Sequence, residues 1–168
     1  MLGSVLVNEH LATPGHSVAE RPKVKDGLPG TGRFTLPVAR RIGADGALHL
    51  LDIHQAMLDQ VVRRAKKQDI ANLLPARGDA TTLPYETESF DAVFLVTVLG
   101  EIPDRKTALR EARRVLRPRG RLVVGEAIHD PDMVRWATLE RECREAGYAL
   151  ERRVGGPLGF FARFVLSG

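Results

Sequence analysis

Cysteine is nearly absent: Cys143 stands alone in 168 residues. That excludes an intrachain disulfide and a multi-cysteine metal site. The five histidines show no metal-ligand spacing, so no metal site is expected. Aromatic residues make up 5% of the chain, and none interleaves with its basic clusters, which weakens a stacking platform for single-stranded nucleic acid. No apolar run approaches the roughly 20 residues of a membrane helix. The opening residues Met1 to Val7 lack the basic region of a secretory signal. Together these absences predict a cytoplasmic protein without membrane insertion.

What remains is an ordinary globular composition, 43% apolar and 27% charged, enough for one domain with a substantial core. The formal charge of +4 comes largely from Arg63, Arg64, Lys66 and Lys67, and from Arg110, Arg113, Arg114, Arg117, Arg119 and Arg121. Both clusters fall on predicted helices or just past one. They read first as solvated helix faces, and second as a patch for RNA or an acidic partner. Residues 1–22 carry no sustained period and read as an irregular arm, with the domain proper over 23–168.

From Pro29 the pattern alternates. Helices are predicted over 33–43, 55–68 and 105–117, and from an Asp130–Pro131 start to about Ala146. Strands are predicted near 22–27, over 47–52 and 73–76, from Phe90 to Thr97, and from Arg121 to Ala127. A closing hairpin runs from Tyr148 to Val154 and from Leu158 to Leu166. This order specifies an α/β fold: a doubly wound, mostly parallel seven-stranded sheet, helices on both faces, and a C-terminal antiparallel hairpin.

The chemistry concentrates at Pro29-Gly30-Thr31-Gly32 and at Asp52, which closes the strand Leu48-His49-Leu50-Leu51-Asp52. Glycines let a backbone approach a ligand, and a strand-end acid accepts hydrogen bonds from ribose hydroxyls. A nicotinamide dinucleotide fits poorly, because Thr35 stands where the third small residue of Gly-x-Gly-x-x-Gly belongs.

Further motifs follow in order. Gly78-Asp79-Ala80 precedes Leu83-Pro84 and Phe90-Asp91, and then comes Leu109-Arg110-Glu111-Ala112-Arg113-Arg114-Val115-Leu116-Arg117-Pro118-Arg119-Gly120-Arg121-Leu122. With the glycine turn and Asp52, this set resembles the class I S-adenosylmethionine-dependent methyltransferases, in particular the small-molecule branch of ubiquinone and menaquinone biosynthesis. The resemblance implies S-adenosylmethionine as cofactor. Gly30, Thr31 and Gly32 would pass close to its methionine half, with Asp26 facing the ammonium. Asp52 would hold the ribose, with Ile53 beside it. Asp79 would accept from the adenine amino group, with Ala80 alongside. Residues from Thr97 to Glu101 would line the reacting end.

The residues after the fourth strand, Leu95 to Pro103, contain no Asp/Asn-Pro-Pro-aromatic run, which argues against methylation of a nucleobase amine. Cys143, inside a predicted helix, reads as a core thiol. Small-molecule C- or O-methylation by in-line displacement remains, with Glu101, Glu126 and His129 as candidates for acid–base help. The resemblance begins sharply at Pro29. Upstream, Lys23 and Lys25 interrupt the strand expected at the sheet's centre, and Leu28 stands where the family's first glycine belongs. A degenerate fold serving as a binding or regulatory module is therefore one alternative, and an RNA or protein methyltransferase another. A homodimer, in which a second subunit supplies a lid, is a further expectation.

Overall fold

A computed structural model describes the backbone of residues 5–8 and, in full, residues 34–168. The strands are β1 (Val5–Asn8), β2 (Ala47–Asp52), β3 (Leu73–Arg77), β4 (Phe90–Val96), β5 (Leu116–Ala127), β6 (Tyr148–Gly156) and β7 (Gly159–Leu166). The helices are α1 (Thr35–Ile42), α2 (Gln55–Lys66), α3 (Arg105–Val115) and α4 (Trp136–Glu145), with a short 3-10 turn at Leu99–Glu101.

Local chemistry sets the helix ends. Asp104 caps α3 by accepting from the Thr107 N–H at 3.0 Å and the Thr107 hydroxyl at 2.7 Å. α1 stops at Gly43, whose φ of 79° suits a residue without a Cβ. The Asn72 side chain then donates to Ala39 O at 2.8 Å and Gly43 O at 2.7 Å, satisfying carbonyls that the helix end leaves open. Pro37 sits in the first turn of α1, where its missing N–H costs least.

The strands hydrogen-bond in the order β3-β2-β1-β4-β5-β7-β6. Side chains alternate between two cores. Leu48, Leu50 and Phe94 face α1 and α2, together with Leu36, Leu58 and Val61. Leu51, Val93, Leu95, Leu122 and Val124 face α3 and α4, together with Leu109 and Leu139. Cys143 lies in this second core, as the sequence predicts for a core thiol. With both faces covered, β4 is nearly continuous in apolar residues.

Four expectations change. The sheet is not mostly parallel by pairing: β2–β3 and β4–β5 are parallel, while β1–β2, β1–β4, β5–β7 and β6–β7 are antiparallel. The central position belongs to β1, inside the segment read as an irregular arm; residues 22–27, expected to form that strand, lie outside the described residues. β5 starts at Leu116 rather than Arg121, because Leu116 pairs with Phe90 before the register shifts to Ala92–Arg121. The shift is absorbed by Arg119 at φ 70° and by Gly120, where a Cβ would lie 2.8 Å from Arg117 O. Finally, α4 starts at Trp136 and not at Asp130. Asp130 instead closes a turn: its carboxylate accepts from Asp132 N at 3.0 Å and its carbonyl from Met133 N at 3.2 Å.

The second basic cluster is partly structural. Arg114 donates to Leu83 O, Tyr85 O and Glu111, while Arg117 grips Asp91 at 2.9 and 2.8 Å. Among the described residues no helix is long and apolar enough to cross a membrane.

Candidate functional site

β2, β3, β4 and β5 all point one way, so their carboxyl ends share one edge of the sheet. Such an edge, at the point where strand order reverses, is where open α/β sheets hold ligands. The described candidate residues converge there. Asp26, Gly30, Thr31 and Gly32 lie outside the described residues.

Asp52 ends β2 and is 2% exposed. Its Oδ1 accepts from His54 N at 2.7 Å, which fixes the carboxylate against the start of α2. Its carbonyl accepts from Gly78 N at 3.1 Å, joining the β2 end to the β3 end. Ile53 follows, 55% exposed, with its carbonyl held by Arg77 Nε at 3.1 Å. Asp79 stands two residues beyond Arg77, which pairs with Asp52. Its Oδ1 accepts from both the backbone N–H and the hydroxyl of Thr81, each at 2.8 Å. Those two bonds hold the Asp79 carboxyl below its ordinary value, so it is an ionised acceptor near neutrality. Ala80 is half-buried beside it.

At the β4 end, Thr97 has φ 51°, a conformation that a β-branched residue rarely adopts. Its N–H donates to Gly125 O at 2.8 Å, locking the β4 and β5 ends together. Strain of this kind, held by surrounding structure, gathers at functional sites. Glu101 is exposed, yet its carboxyl lies above the ordinary value, first through desolvation and then through the like charges of Asp130, Asp132 and Asp52.

Glu126 is 3% exposed near the end of β5. Burial pushes its carboxyl up to about 7, against the pull of a hydrogen bond from Val134 N to Oε2 at 3.3 Å. Its other oxygen, Oε1, is buried without a hydrogen-bond partner. His129 is exposed on the turn that follows.

Asp130 and Asp132 were missed as site residues, the first because Asp-Pro read as a helix start. The legible signal was two further acids within six residues of a strand-end glutamate, a density that repulsion disfavours without a ligand or a turn. The apolar side of the edge was also missed. Among the described residues the three most exposed large apolar side chains, Leu158 at 69%, Ile128 at 60% and Ile53 at 55%, all stand on it. Ile128 N donates to Leu158 O at 3.0 Å, so two of the three are neighbours.

A family profile described as a methyltransferase domain matches residues 26–124, more than half of the chain and a span that includes the glycine turn. The ubiquinone/menaquinone biosynthesis C-methyltransferase UbiE of Idiomarina loihiensis is 39% identical over 107 residues, covering 62% of this chain and 42% of that protein. The demethylmenaquinone methyltransferase of Lactobacillus johnsonii is 36% identical over 98 residues, covering 58% of this chain and 40% of that one. The matched part is thus about four-tenths of the length of these relatives. Among solved structures, a SAM-dependent methyltransferase from Aquifex aeolicus superposes with a TM-score of 0.73 at 16% identity, covering 80% of this chain and 77% of that one. At that identity the match speaks for the Rossmann-like α/β fold alone. Profile, relatives and fold agree: the chain belongs to the methyltransferase-domain family.

Proposed function

We propose that this chain binds S-adenosylmethionine over the ends of β2 and β3 and transfers its methyl group to a small-molecule acceptor held over β4 and β5, by C- or O-methylation. The observation that carries the reading is the pair of acids at the ends of adjacent parallel strands, Asp52 buried and Asp79 ionised, with the exposed apolar Ile53 beside them. The donor set fits the cofactor in type and place: carboxylates for ribose hydroxyls and an adenine amino group, and an apolar flank for a ring. The cofactor, when bound, supplies an electrophilic methyl on a sulfonium.

Everything else falls to the chain. Asp52 would hold the ribose and Asp79 the adenine amino group, with Ile53 and Ala80 against the ring. Asp26, Gly30, Thr31 and Gly32 would receive the methionine end. Thr97 would line the reacting end, where a fixed backbone positions groups for in-line attack. Of the acid–base candidates Glu101, Glu126 and His129, Glu126 is the best supported, because a carboxyl near 7 can take and return a proton at neutral pH. The names of the relatives point to a quinone-type acceptor, and the exposed Ile128–Leu158 pair suits an apolar one. Residues 23–168 would form the catalytic domain and 1–22 an arm. We place the chain in the cytoplasm, with a homodimer as its assembly and the exposed basic cluster of α2 as the face left for RNA.

Calorimetric titration with S-adenosylmethionine and S-adenosylhomocysteine, paired with product release on a demethylated quinol, tests this reading. Micromolar binding that Asp52→Ala abolishes, together with methyl transfer, is expected. A folded chain that binds neither ligand would overturn it. A second reading, a module that binds the cofactor without turnover, is favoured by one observation. β1 runs against its neighbours, so Asn8 pairs with Ala47 at the edge away from Asp52. Binding without transfer to any acceptor would select that reading.

A further inference from the structure

We propose that Glu101, Asp130 and Asp132, with Glu126 beneath them, form a site for one divalent cation of the hard, oxygen-preferring kind. One carboxylate oxygen from each of the first three lies within 4.8 Å of the others. Three oxygens at that limit stand about 2.8 Å from a common centre, so a shift of a few tenths of an ångström in the exposed Glu101 and Asp132 side chains brings them to the roughly 2.3–2.6 Å of a calcium ion. A set made only of carboxylates favours Mg²⁺, Mn²⁺ or Ca²⁺ over softer metals.

The second observation is independent of the cluster. Glu126 is 3% exposed and its Oε1 has no partner. On β5 it follows Leu122 and Val124 on the same face, and its Oε2 accepts from Val134 N at 3.3 Å. The carboxylate is therefore held against the chain just past the turn that carries Asp130 and Asp132. Asp130 is 7% exposed, and its charge acts on both Glu126 and Glu101. Among the described residues none of these four acids forms an ion pair. The nearby Arg105 is already engaged by Glu142 through two bonds of 3.0 Å. Arg105 offsets only part of the burial cost at Glu126, whose carboxyl still lies well above its ordinary value, and a bound cation would remove more of it.

The fold also brings the parts together closely. A Cβ at Gly100 would lie 1.7 Å from Asp132 O, so the turn bearing Glu101 seats against the 130–133 turn only because glycine precedes it. An ion here stands at the edge assigned above to the acceptor and leaves coordination positions open to an acceptor oxygen. The site itself does not depend on methyl transfer.

The test uses the whole chain, stripped with a chelator and free of S-adenosylmethionine and acceptor, titrated with Mn²⁺ by calorimetry and followed by electron paramagnetic resonance. One saturable site is expected, together with a rise in unfolding temperature. The exposed substitutions Asp132→Asn and Glu101→Gln should each weaken binding about tenfold or more, while Asp59→Asn on α2 leaves it unchanged. Glu126→Gln should also weaken it, and should stabilise the metal-free chain. No saturable Mn²⁺ binding to the folded chain, or binding that survives both Asp132→Asn and Glu101→Gln, overturns the proposal. Because no cofactor is present, such a failure leaves the methyltransferase reading untouched.

Discussion

The two flanks of the sheet's carboxyl edge handle negative charge in opposite ways. Over β2 and β3 each acid is held by short, local hydrogen bonds: Asp52 by His54 N at 2.7 Å, and Asp79 by both donors of Thr81 at 2.8 Å. Over β4 and β5 three acids crowd together, Glu126 close to Asp130 keeps an orphan oxygen, and Glu101 and Glu126 titrate above their ordinary values. Asp52 and Glu126 make the contrast sharpest, since they are 2% and 3% exposed and both stand near strand ends. The first flank is finished by the fold itself and suits a ligand that needs fixed acceptors. The second is left electrostatically incomplete, which suits proton exchange or a cation.

The largest expected effect is at Glu126. Its folded value near 7 lies above the ordinary 4.5, so the folded chain binds more protons than the unfolded one between these limits. Its stabilising contribution is thus fully present below about 4.5 and is lost as pH rises through about 7. The loss is on the order of 3 kcal/mol. Glu126→Gln should flatten the stability profile between about pH 4.5 and about pH 7 in urea unfolding, provided metal is absent. An unchanged profile would make the two flanks alike.

Next is Asp52→Asn, which keeps the shape but removes the charge. Binding of S-adenosylhomocysteine should weaken by about 2 kcal/mol, roughly 30-fold, as read by calorimetry. Equal binding would place the cofactor elsewhere. Thr97→Gly should then stabilise the chain by about 1 kcal/mol in thermal unfolding, because glycine takes a positive φ without the Cβ penalty. The same change should lower turnover by loosening the reacting end. The smallest effect is at Asp79→Ala, where loss of the Thr81 turn should cost about 0.5–1 kcal/mol in urea unfolding. Binding should weaken only severalfold there, since the side chain is exposed. A larger loss than at Asp52 would reverse the ranking within the first flank.

Much of this was legible from periodicity. The apolar run of β4, the amphipathic α2 and α3, and the C-terminal hairpin all appear near their expected bounds, because burial on both faces or one face writes itself into residue order. Asp52 and Asp79 were legible for a related reason: a strand followed by an acid at a turn is a local pattern. Asp130 was not, since Asp-Pro serves a helix N-cap and a closed turn equally well, and the choice depended on packing against Gly100 and on Glu126 accepting from Val134. The start of β5 escaped because the break at Arg119 and Gly120 looks like an end until Phe90 supplies a partner for Leu116.

By itself, then, the sequence determined the family, the α/β alternation and the strand-end acids, all of which rest on contacts within one element or between neighbours in the chain. Tertiary structure alone decided which strand fills the centre of the sheet and in which direction, because hydrogen-bond pairing is between distant segments and carries no local signature. It also decided that Glu101, Asp130 and Asp132 meet, with Glu126 near Asp130: they come from three different elements, and only the folded edge lets Asp130 raise the proton affinity of Glu101 and Glu126.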